Sequence, residues 1–209
     1  GELKVLGTSN SQVNFENVNI VGGATLEEPF KIDIINSSFS DGSLLSPTGN
    51  GMYGSLSLKN STINNLDYMY LWYPVENCII EKNIFINSGK ISVGTKDSIK
   101  VEILNNLFIS DNEEVTVENW ASYNSSKTIV SFNSFINNAD KIILKLPGGG
   151  YDGAYLNGEN NYWNTTDKTR IESMIYDKND DLSCADIIPF EPFLSEPDPN
   201  TPIYNGGSN

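Results

Sequence analysis

The sequence predicts an all-β fold: a single-stranded parallel β-helix of about six or seven coils, closed by a C-terminal cap. Three observations lead to this prediction. A short phrase repeats along the chain, strand-like segments lie between its copies, and the sequence changes character after residue 163. Repeats of roughly 20 to 45 residues are typical of solenoids, in which each unit completes the apolar core of its neighbour.

The repeated phrase is an Asn or Ser two residues before a large apolar residue. Its apolar positions, about 22 to 28 residues apart, are Phe39, Ile63, Phe85, Phe108, Phe135 and Trp163. At a sharp turn, Asn tolerates the left-handed backbone and can also hydrogen-bond the Asn of the next coil. We therefore expect a turn ladder made of Asn36, Asn60, Asn83, Asn106 and Asn133.

The segments between the copies have strand character. Their apolar residues alternate or form short β-branched runs, as in residues 32–35, 79–80, 101–104 and 128–130. Asn, Ser and Gly interrupt the chain every few residues and would break the amphipathic helices of a helical repeat. Residues 1–163 are therefore predicted to form the coils.

A cap is predicted for residues 164–195. Asp167 and the two threonines before it can cap a helix, and Ile171 and Met174 follow at helical spacing, so a short helix is expected to run to about Tyr176. Residues 186–194 form a last apolar stretch with two prolines, which would prevent further strand pairing at the open end.

Residues 196–209 are rich in Pro, Gly and Ser, and this composition is typical of an extended linker or tail. We expect another domain to have been joined there. The chain of 209 residues is within the range of one domain.

The composition excludes some partners. A net charge of −14 and a pI of about 4.2 argue against nucleic acid, whose phosphates would be repelled. No apolar stretch approaches the roughly 18 residues of a membrane-spanning helix. Cys78 and Cys184 are too few for a disulfide scaffold; two separate buried thiols and one pair both remain open.

The coil phrases resemble those of right-handed parallel β-helix repeat proteins of the pectate-lyase-like superfamily. Three closing phrases resemble the C-terminal cap of secreted or surface β-helix proteins of bacteria and methanogenic archaea: Asn-Tyr-Trp-Asn at 161–164, Ile-Tyr-Asp-Lys-Asn-Asp-Asp at 175–181 and Pro-Phe-Leu at 192–194. The family often has Gly where this chain has Asn164, which also accepts positive φ.

The resemblance covers roughly residues 15–195. It implies a right-handed coil and a secreted or cell-surface location. Because members of the superfamily include polysaccharide lyases, glycosidases, epimerases, adhesins and binding modules, it does not fix the activity.

One segment, residues 67–74, suggests a ligand-binding surface. Alternate residues of a strand face opposite sides, so Met69 and Leu71 are expected to point inward while Tyr68, Tyr70 and Trp72 point outward. Three neighbouring exposed aromatic side chains are unusual on a soluble domain. Flat rings can stack against the apolar faces of sugars, so the segment predicts contact with a glycan.

Alignment of the following coils by their inward residues places charged side chains beside the aromatic row. The expected rows are Lys90, Ser92 and Gly94, then Glu114, Thr116 and Glu118, then Lys141, Ile143 and Lys145. Gly94 would leave space for a ligand over the Trp72 indole. Two ladders of alternating charge follow, Lys90–Glu114–Lys141 and Glu118–Lys145. Such ladders can equally stabilise a parallel stack without binding anything.

The glycan site is therefore predicted to comprise Tyr68, Tyr70, Trp72, Glu118 and Lys145. The other aromatic side chains outside the repeats are expected to be loop anchors: Trp120, Tyr123, Tyr151 and Tyr155.

Few residues suggest catalysis. The resemblance implies that a lyase would use Arg or Lys as its base, often with Ca²⁺, but the chain has no His and one Arg, Arg170, expected to be a solvated cap residue. A glycosidase needs two carboxylates about 5 to 9 Å apart. Adjacent Asp180 and Asp181 fit a turn better. Burial can lower the pKa of a lysine toward neutrality, so Lys90, Lys141 and Lys145 are candidate bases. If the chain is an enzyme, the expected catalytic residues are Lys145, Glu118 and Lys141.

Asp177, Asn179 and Asp181 place side-chain oxygens at alternate positions, as Ca²⁺ loops do. An EF-hand would require Gly at position 182 and Glu at 188, where this chain has Leu182 and Ile188. We expect an Asx-turn cluster, with weak Ca²⁺ binding as the alternative, and no other cofactor.

These observations together favour a non-catalytic, secreted or cell-surface module that binds a polysaccharide or surface glycan, as in adhesion. Two alternatives remain. One is a polysaccharide lyase or glycoside hydrolase acting on an acidic or plant cell-wall polysaccharide, and the other is a purely structural stalk.

Overall fold

The computed structural model describes residues 1–22, 29–47, 54–124, 126–137, 140–149 and 153–204. These residues form a nearly all-β solenoid of stacked parallel strands with about five turns, slightly fewer than the six or seven expected. The predicted parallel β-helix is therefore confirmed. No helix among these residues is both long and apolar enough to cross a membrane.

The elements follow one another with few residues between them. In chain order they are β1 (Glu2–Leu6), β2 (Val13–Gly22), β3 (Phe30–Ile35), β4 (Ser37–Pro47), β5 (Gly54–Lys59), β6 (Thr62–Asn64), β7 (Met69–Trp72), β8 (Cys78–Glu81), β9 (Ile84–Ile86), β10 (Ile91–Thr95), β11 (Lys100–Leu104), β12 (Leu107–Ser110), β13 (Val117–Ser122), β14 (Lys127–Ser131), β15 (Ser134–Asn137), β16 (Leu144–Lys145), β17 (Leu156–Asn157), α1 (Lys168–Glu172) and β18 (Ile175–Tyr176).

The strands form three parallel faces that surround one core. Face A contains β1, β3, β5, β8, β11, β14 and β17; face B contains β6, β9, β12 and β15; face C contains β7, β10, β13, β16 and β18. Strands β2 and β4 extend over faces B and C, since β4 pairs with both β6 and β7. Each strand pairs with its equivalent one coil later, so residues of one column share a side of the sheet.

The apolar residues of the repeated phrase stack inside face B. Phe15 stacks on Phe39 with ring centroids 4.4 Å apart, and Phe85, Phe108 and Phe135 continue the column at 4.8 and 5.3 Å. Trp163 closes it, 5.2 Å from Phe135. Stacked aromatic pairs contribute about 0.5 to 1.5 kcal/mol beyond the area they bury. The repeat period therefore reflects one core position that recurs in every coil.

The turn from face A to face B contains two polar columns where the sequence predicts one. In the buried column, each backbone N–H donates to the side-chain oxygen of the next coil at 2.9 to 3.0 Å, through Ser37, Ser61, Asn83, Asn106, Asn133 and Asn161. Asn36 and Asn60, expected in this ladder, were assigned wrongly. They lie one residue earlier, in a column with φ near +50 to +60°, together with Lys82, Asn105, Phe132 and Asn160.

The short helix begins where the sequence predicts but ends at Glu172, four residues before its expected end. The Asp167 carboxylate accepts hydrogen bonds from the backbone N–H groups of Thr169 and Arg170 at 3.0 and 3.3 Å, as an N-cap does. Ile171 is buried and Arg170 is exposed. The helix ends before Tyr176 because Ile175 and Tyr176 instead pair with β16 and add a strand to face C.

The segment predicted as a linker lies against the coils as far as Tyr204. Asn105 Nδ2 donates to the Asp198 carboxylate at 2.9 Å, and the Thr201 hydroxyl donates to the Phe132 carbonyl at 2.9 Å. With Leu107 and Ile109 of face B, the tail lines an apolar groove of about 440 Å³. Residues 196–204 are thus held against the coils by side-chain hydrogen bonds and apolar contact, whereas a free linker was expected; residues 205–209 lie outside the described residues.

Candidate ligand-binding surface on face C

Strand β7 presents the predicted aromatic side chains to the outside. Met69 and Leu71 are almost fully buried, whereas Tyr70 and Trp72 are partly exposed, as is Tyr68 just before the strand. This alternation follows from the pleat of the strand. The predicted inward and outward residues of β7 are therefore correct.

The three rings stack on one another. The centroids of Tyr68 and Tyr70 are 4.6 Å apart with planes inclined by 19°, and those of Tyr70 and Trp72 are 5.2 Å apart at 13°. Alternate residues of a strand are about 6.7 Å apart, so the side chains lean together. Ring faces therefore contact neighbouring rings, where the sequence suggested a flat platform for successive sugars.

The space expected over the Trp72 indole is bounded by a second indole. Gly94 lies opposite Trp72, as predicted, but Trp120 of β13 approaches Trp72 edge-on with centroids 6.5 Å apart. Strands two rungs apart are separated by about 9.6 Å, so Trp120 leans across the Gly94 rung. Trp120 is therefore part of this surface and not the loop anchor that was expected.

The position of Trp120 on face C was not predicted because it depends on a β-bulge. The register between β10 and β13 shifts between Val93 and Gly94, so Val93 lies opposite Asn119, Gly94 lies opposite Ala121, and Trp120 is the bulged residue between them. A bulged residue re-aims its side chain. The only sign of this bulge in the sequence is an aromatic residue inserted in a short alternating run. Of the other aromatic residues expected to be loop anchors, Tyr151 lies outside the described residues.

The charged rows are displaced by two residues from the predicted alignment. Ser92 lies opposite Glu118, and Glu118 lies opposite Lys145, so the predicted Glu118–Lys145 neighbours are correct. The Lys90–Glu114–Lys141 ladder does not form, because Glu118 rather than Glu114 pairs with Lys90. Ile143, expected on the outer side, is fully buried in the core.

Glu118 is the centre of an ion triad. Its side chain is only 4% exposed, and its carboxylate lies 2.9 Å from the Lys90 ammonium and 3.9 Å from that of Lys145. Each lysine also faces an aromatic ring: Lys90 lies 5.9 Å from the Trp120 centroid and Lys145 lies 5.3 Å from that of Tyr176. A buried carboxylate requires such partners. The triad links the aromatic end of face C to Tyr176.

Lys141 lies apart from this triad. It is buried, and its ammonium donates to Ser110 Oγ at 3.0 Å and to Asn112 Oδ1 at 3.3 Å at the corner between faces B and C. Burial lowers the pKa of Lys141 to about 8, although the Glu114 carboxylate opposes this shift. The structure therefore separates Lys141 from Glu118 and Lys145, with which it was grouped as a catalytic candidate.

The residues of the predicted Ca²⁺ loop form hydrogen bonds within the cap. The Asp177 carboxylate accepts from the backbone N–H groups of Asn179 at 2.7 Å and Ile188 at 2.8 Å. The Asp181 carboxylate accepts from Ser183 N and from the Tyr176 hydroxyl, and the backbone N–H of Ser183 is the main cause of its lowered pKa. Among the described residues, no three acidic or thiol side chains cluster as metal ligands would.

The two cysteines are separate buried thiols. Burial raises the pKa of Cys78 to about 12 and also raises that of Cys184. Since the thiolate is the reactive form, neither cysteine is suited to act as a nucleophile near neutral pH.

Comparisons with protein-family models, with curated proteins and with solved structures give no significant match for this chain.

Proposed function

We propose that the chain is a non-catalytic β-helix module that binds a polysaccharide or cell-surface glycan on the outer side of face C. The observation that carries the proposal is the continuity of this surface. Tyr68, Tyr70 and Trp72 lie at one end of it, and the part-exposed ammonium groups of Lys90 and Lys145, both paired with the buried Glu118 carboxylate, lie on the adjoining rungs. Sugars present both apolar C–H surfaces and hydroxyl groups, and this surface offers partners for both.

The polar groups beside the aromatic rings are part of this proposal. Because the aromatic rings stack on each other, their exposed edges supply apolar contact while polar groups supply orientation. The Ser92 hydroxyl accepts from Trp72 Nε1 at 3.0 Å, and because Ser92 is fully buried this bond fixes the indole in place. The part-exposed Lys90 and Lys145 ammonium groups are the polar groups that a ligand can reach. Binding surfaces of this kind combine aromatic contact area with a few fixed polar groups.

The proposal also covers the location of the protein and the superfamily to which it belongs. The solenoid, the closing phrase at 161–164 and the acidic composition support membership of the pectate-lyase-like superfamily and a secreted or cell-surface location, in which adhesion is the corresponding role. A calcium ion near Asp177, Asn179 and Asp181 would be a separate and weaker feature of that setting.

A polysaccharide panel tests the function. Immobilised xylan, polygalacturonate, alginate, mannan and chitin should include at least one polymer that retains the protein, and Tyr70→Ala or Trp72→Ala should weaken retention about tenfold. Tyr204→Ala, which removes a partly exposed ring beside face B, is the matched control and should bind normally. Retention unchanged in both face C variants would refute the site, and no retention on any polymer would refute the function.

A polysaccharide lyase is the second candidate, favoured by one observation, the lowered pKa of Lys141. A lysine with a pKa near 8 is partly neutral at mild alkaline pH and can accept a proton. The same panel distinguishes this function, because a lyase would release unsaturated uronate that absorbs ultraviolet light and Lys141→Ala would abolish the release. A purely structural stalk would show neither retention nor cleavage.

A further inference from the structure

A lysine and an asparagine from neighbouring coils meet at the corner between faces B and C. Lys141 lies shortly before β16, and Asn112 lies one coil earlier, in the turn that joins β12 to β13. The Lys141 ammonium is 3.3 Å from Asn112 Oδ1 and 3.0 Å from the Oγ of Ser110, the last residue of β12. Both oxygens are neutral, so the buried ammonium forms no ion pair with the residues that the structure describes.

This environment favours the neutral amine of Lys141. Burial lowers the pKa of Lys141 to about 8, against the opposing effect of the Glu114 carboxylate. About one lysine side chain in ten is then neutral at pH 7. A desolvated neutral lysine amine is a nucleophile, and here it is held against the side-chain amide of Asn112.

The Asn112 amide is oriented with its carbonyl oxygen toward hydrogen-bond donors. Oδ1 accepts from the Ser110 hydroxyl at 3.0 Å and from the backbone N–H of Glu114 at 3.2 Å. Nδ2 donates to the Asn87 carbonyl at 3.2 Å, so the partners of the two amide atoms fix which atom is which. Donors directed at a carbonyl oxygen stabilise the negative charge that develops there when a nucleophile adds to the carbon.

A nucleophilic amine beside a polarised amide has the parts of an acyl-transfer reaction. We propose that Lys141 Nζ and Asn112 Cγ join in an intramolecular isopeptide bond, with release of ammonia. The bond links the coil of β12 and β13 covalently to the coil of β15 and β16. It is a modification of the scaffold and does not depend on the proposed glycan binding.

The reaction balances without an added reagent. The lone pair of the neutral amine forms the Nζ–Cγ bond while the π electrons of the carbonyl move to Oδ1. Ser110 contacts both atoms, so its hydroxyl accepts a proton from Nζ and passes its own proton to Oδ1. The Cγ–Nδ2 bond then breaks, and Nδ2 leaves as ammonia with the electron pair and the Oδ1 proton, which restores the carbonyl. Because the Asn112 side is partly exposed, ammonia can escape to solvent.

The bond changes how the solenoid can open. Each coil of a solenoid contacts only its neighbours, so coils can separate one after another from an end. A covalent bond between Asn112 and Lys141 prevents the separation of these two coils. It also converts the Lys141 amine to an amide that no longer titrates, so a pH-dependent stability caused by Lys141 is expected only while this lysine is unlinked.

The mass of the wild-type protein tests the bond directly. After incubation at about pH 9, where a lysine with a pKa of about 8 is mostly neutral, the intact mass should be lower than the sequence mass by one ammonia molecule. Trypsin cleaves after lysine and arginine. The linked chain should resist cleavage after Lys141 and should yield residues 101–127 and 128–145 as one branched peptide.

Three variants assign the reacting groups. Lys141→Arg should keep its full mass, because a guanidinium is not deprotonated in proteins. Lys127→Arg, which changes an exposed lysine and keeps the tryptic site, is the matched control and should link at the wild-type rate. Ser110→Ala should link at least about tenfold more slowly, since it removes the group that carries the proton.

The outcomes decide between the bond and simpler chemistry. Wild-type protein that keeps its full mass after incubation and releases residues 128–141 as a free peptide overturns the isopeptide bond. A lower mass with both peptides free overturns it as well, because an asparagine can lose ammonia by closing on its own backbone. Linking of Ser110→Ala at the wild-type rate overturns the proton transfer through Ser110.

Discussion

Asn133 accepts two hydrogen bonds from Asn106 through a single side-chain oxygen, one from the backbone N at 2.9 Å and one from Nδ2 at 3.0 Å. Asn106 in turn accepts the same two bonds from Asn83. Both residues are fully buried. The ladder therefore satisfies buried backbone and side-chain groups together at each turn from face A to face B.

Asn106→Ala should destabilise the protein by about 3 kcal/mol, because it leaves two buried donors of Asn83 without an acceptor. Asn106→Ser should lower the free energy of unfolding by less, since the Ser61 hydroxyl already acts as the acceptor at its own position of this column. Urea unfolding measures both. Asn64→Ala, on the exposed side of β6, is the control and should stay within about 0.5 kcal/mol of wild type. An equal loss in Asn64→Ala and Asn106→Ala would contradict the ladder's role.

Lys82→Asn should stabilise the protein by about 0.5 to 1 kcal/mol. Lys82 has φ of 56°, a left-handed conformation that Asn, which occupies four other positions of this column, adopts more readily. Lys82→Val should instead destabilise it, because a β-branched side chain is strained at positive φ. Thermal unfolding of the two variants gives the comparison; shifts of the same sign would show that backbone strain is not the cause.

Glu118→Gln should reduce the free energy of unfolding by about 2 kcal/mol, because a buried ion triad loses its central charge and two ammonium groups remain. The Lys59–Glu81 pair is the matched control. Its N–O distance is 3.1 Å but its carboxylate side chain is 26% exposed, so Glu81→Gln should lose less than about 1 kcal/mol. Equal losses would argue against the importance of burial.

The lowered pKa of unlinked Lys141 predicts that the stability of the protein depends on pH. Its pKa falls to about 8 in the folded chain from the model-peptide value of 10.5, so between these values the unfolded chain binds more protons and stability rises with pH. The expected gain is roughly 1 kcal/mol per pH unit.

Lys141→Met lacks this titration. Its stability relative to wild type should therefore be greatest below pH 8 and should fall between pH 8 and 10, as measured by urea unfolding across the range. A difference that does not change with pH would contradict the assignment to Lys141. The hydrogen bond from Ser110 Oγ to Asn112 Oδ1, 3.0 Å long, does not involve Lys141 and should keep the corner intact in the variant.

The sequence predicts the fold well because the core position repeats. Phe85, Phe108 and Phe135 are alike in type and spacing, and their stacking is a direct result. The inward and outward directions of the β7 side chains follow from the two-residue period of a strand. The number of turns and the helix end were less accurate, since Ile175 and Tyr176 fit a helix by spacing but a strand by tertiary pairing.

The charged rows were predicted less well for a physical reason. A register slip of two residues keeps every side chain on its own face, so hydrophobic alternation cannot distinguish Thr116 from Glu118 as the residue opposite Ser92. The orientation of the rings on β7 depends on side-chain packing. The approach of Trp120 to Trp72 depends on the β-bulge of β13. Tyr176 was missed because its place on face C depends on pairing at the end of the chain.

Since Asn83, Asn106 and Asn133 each donate toward the next coil and accept from the previous one, the coils that carry them can replace one another. Excision of residues 83–105 would bring Asn106 above Ser61 and Phe108 above Ile63, with donors and acceptors still matched. The same excision would remove β10 from face C and shorten that face by one strand. Duplication or loss of whole coils is thus a route by which such a chain can change the length of face C while its interior stays complete.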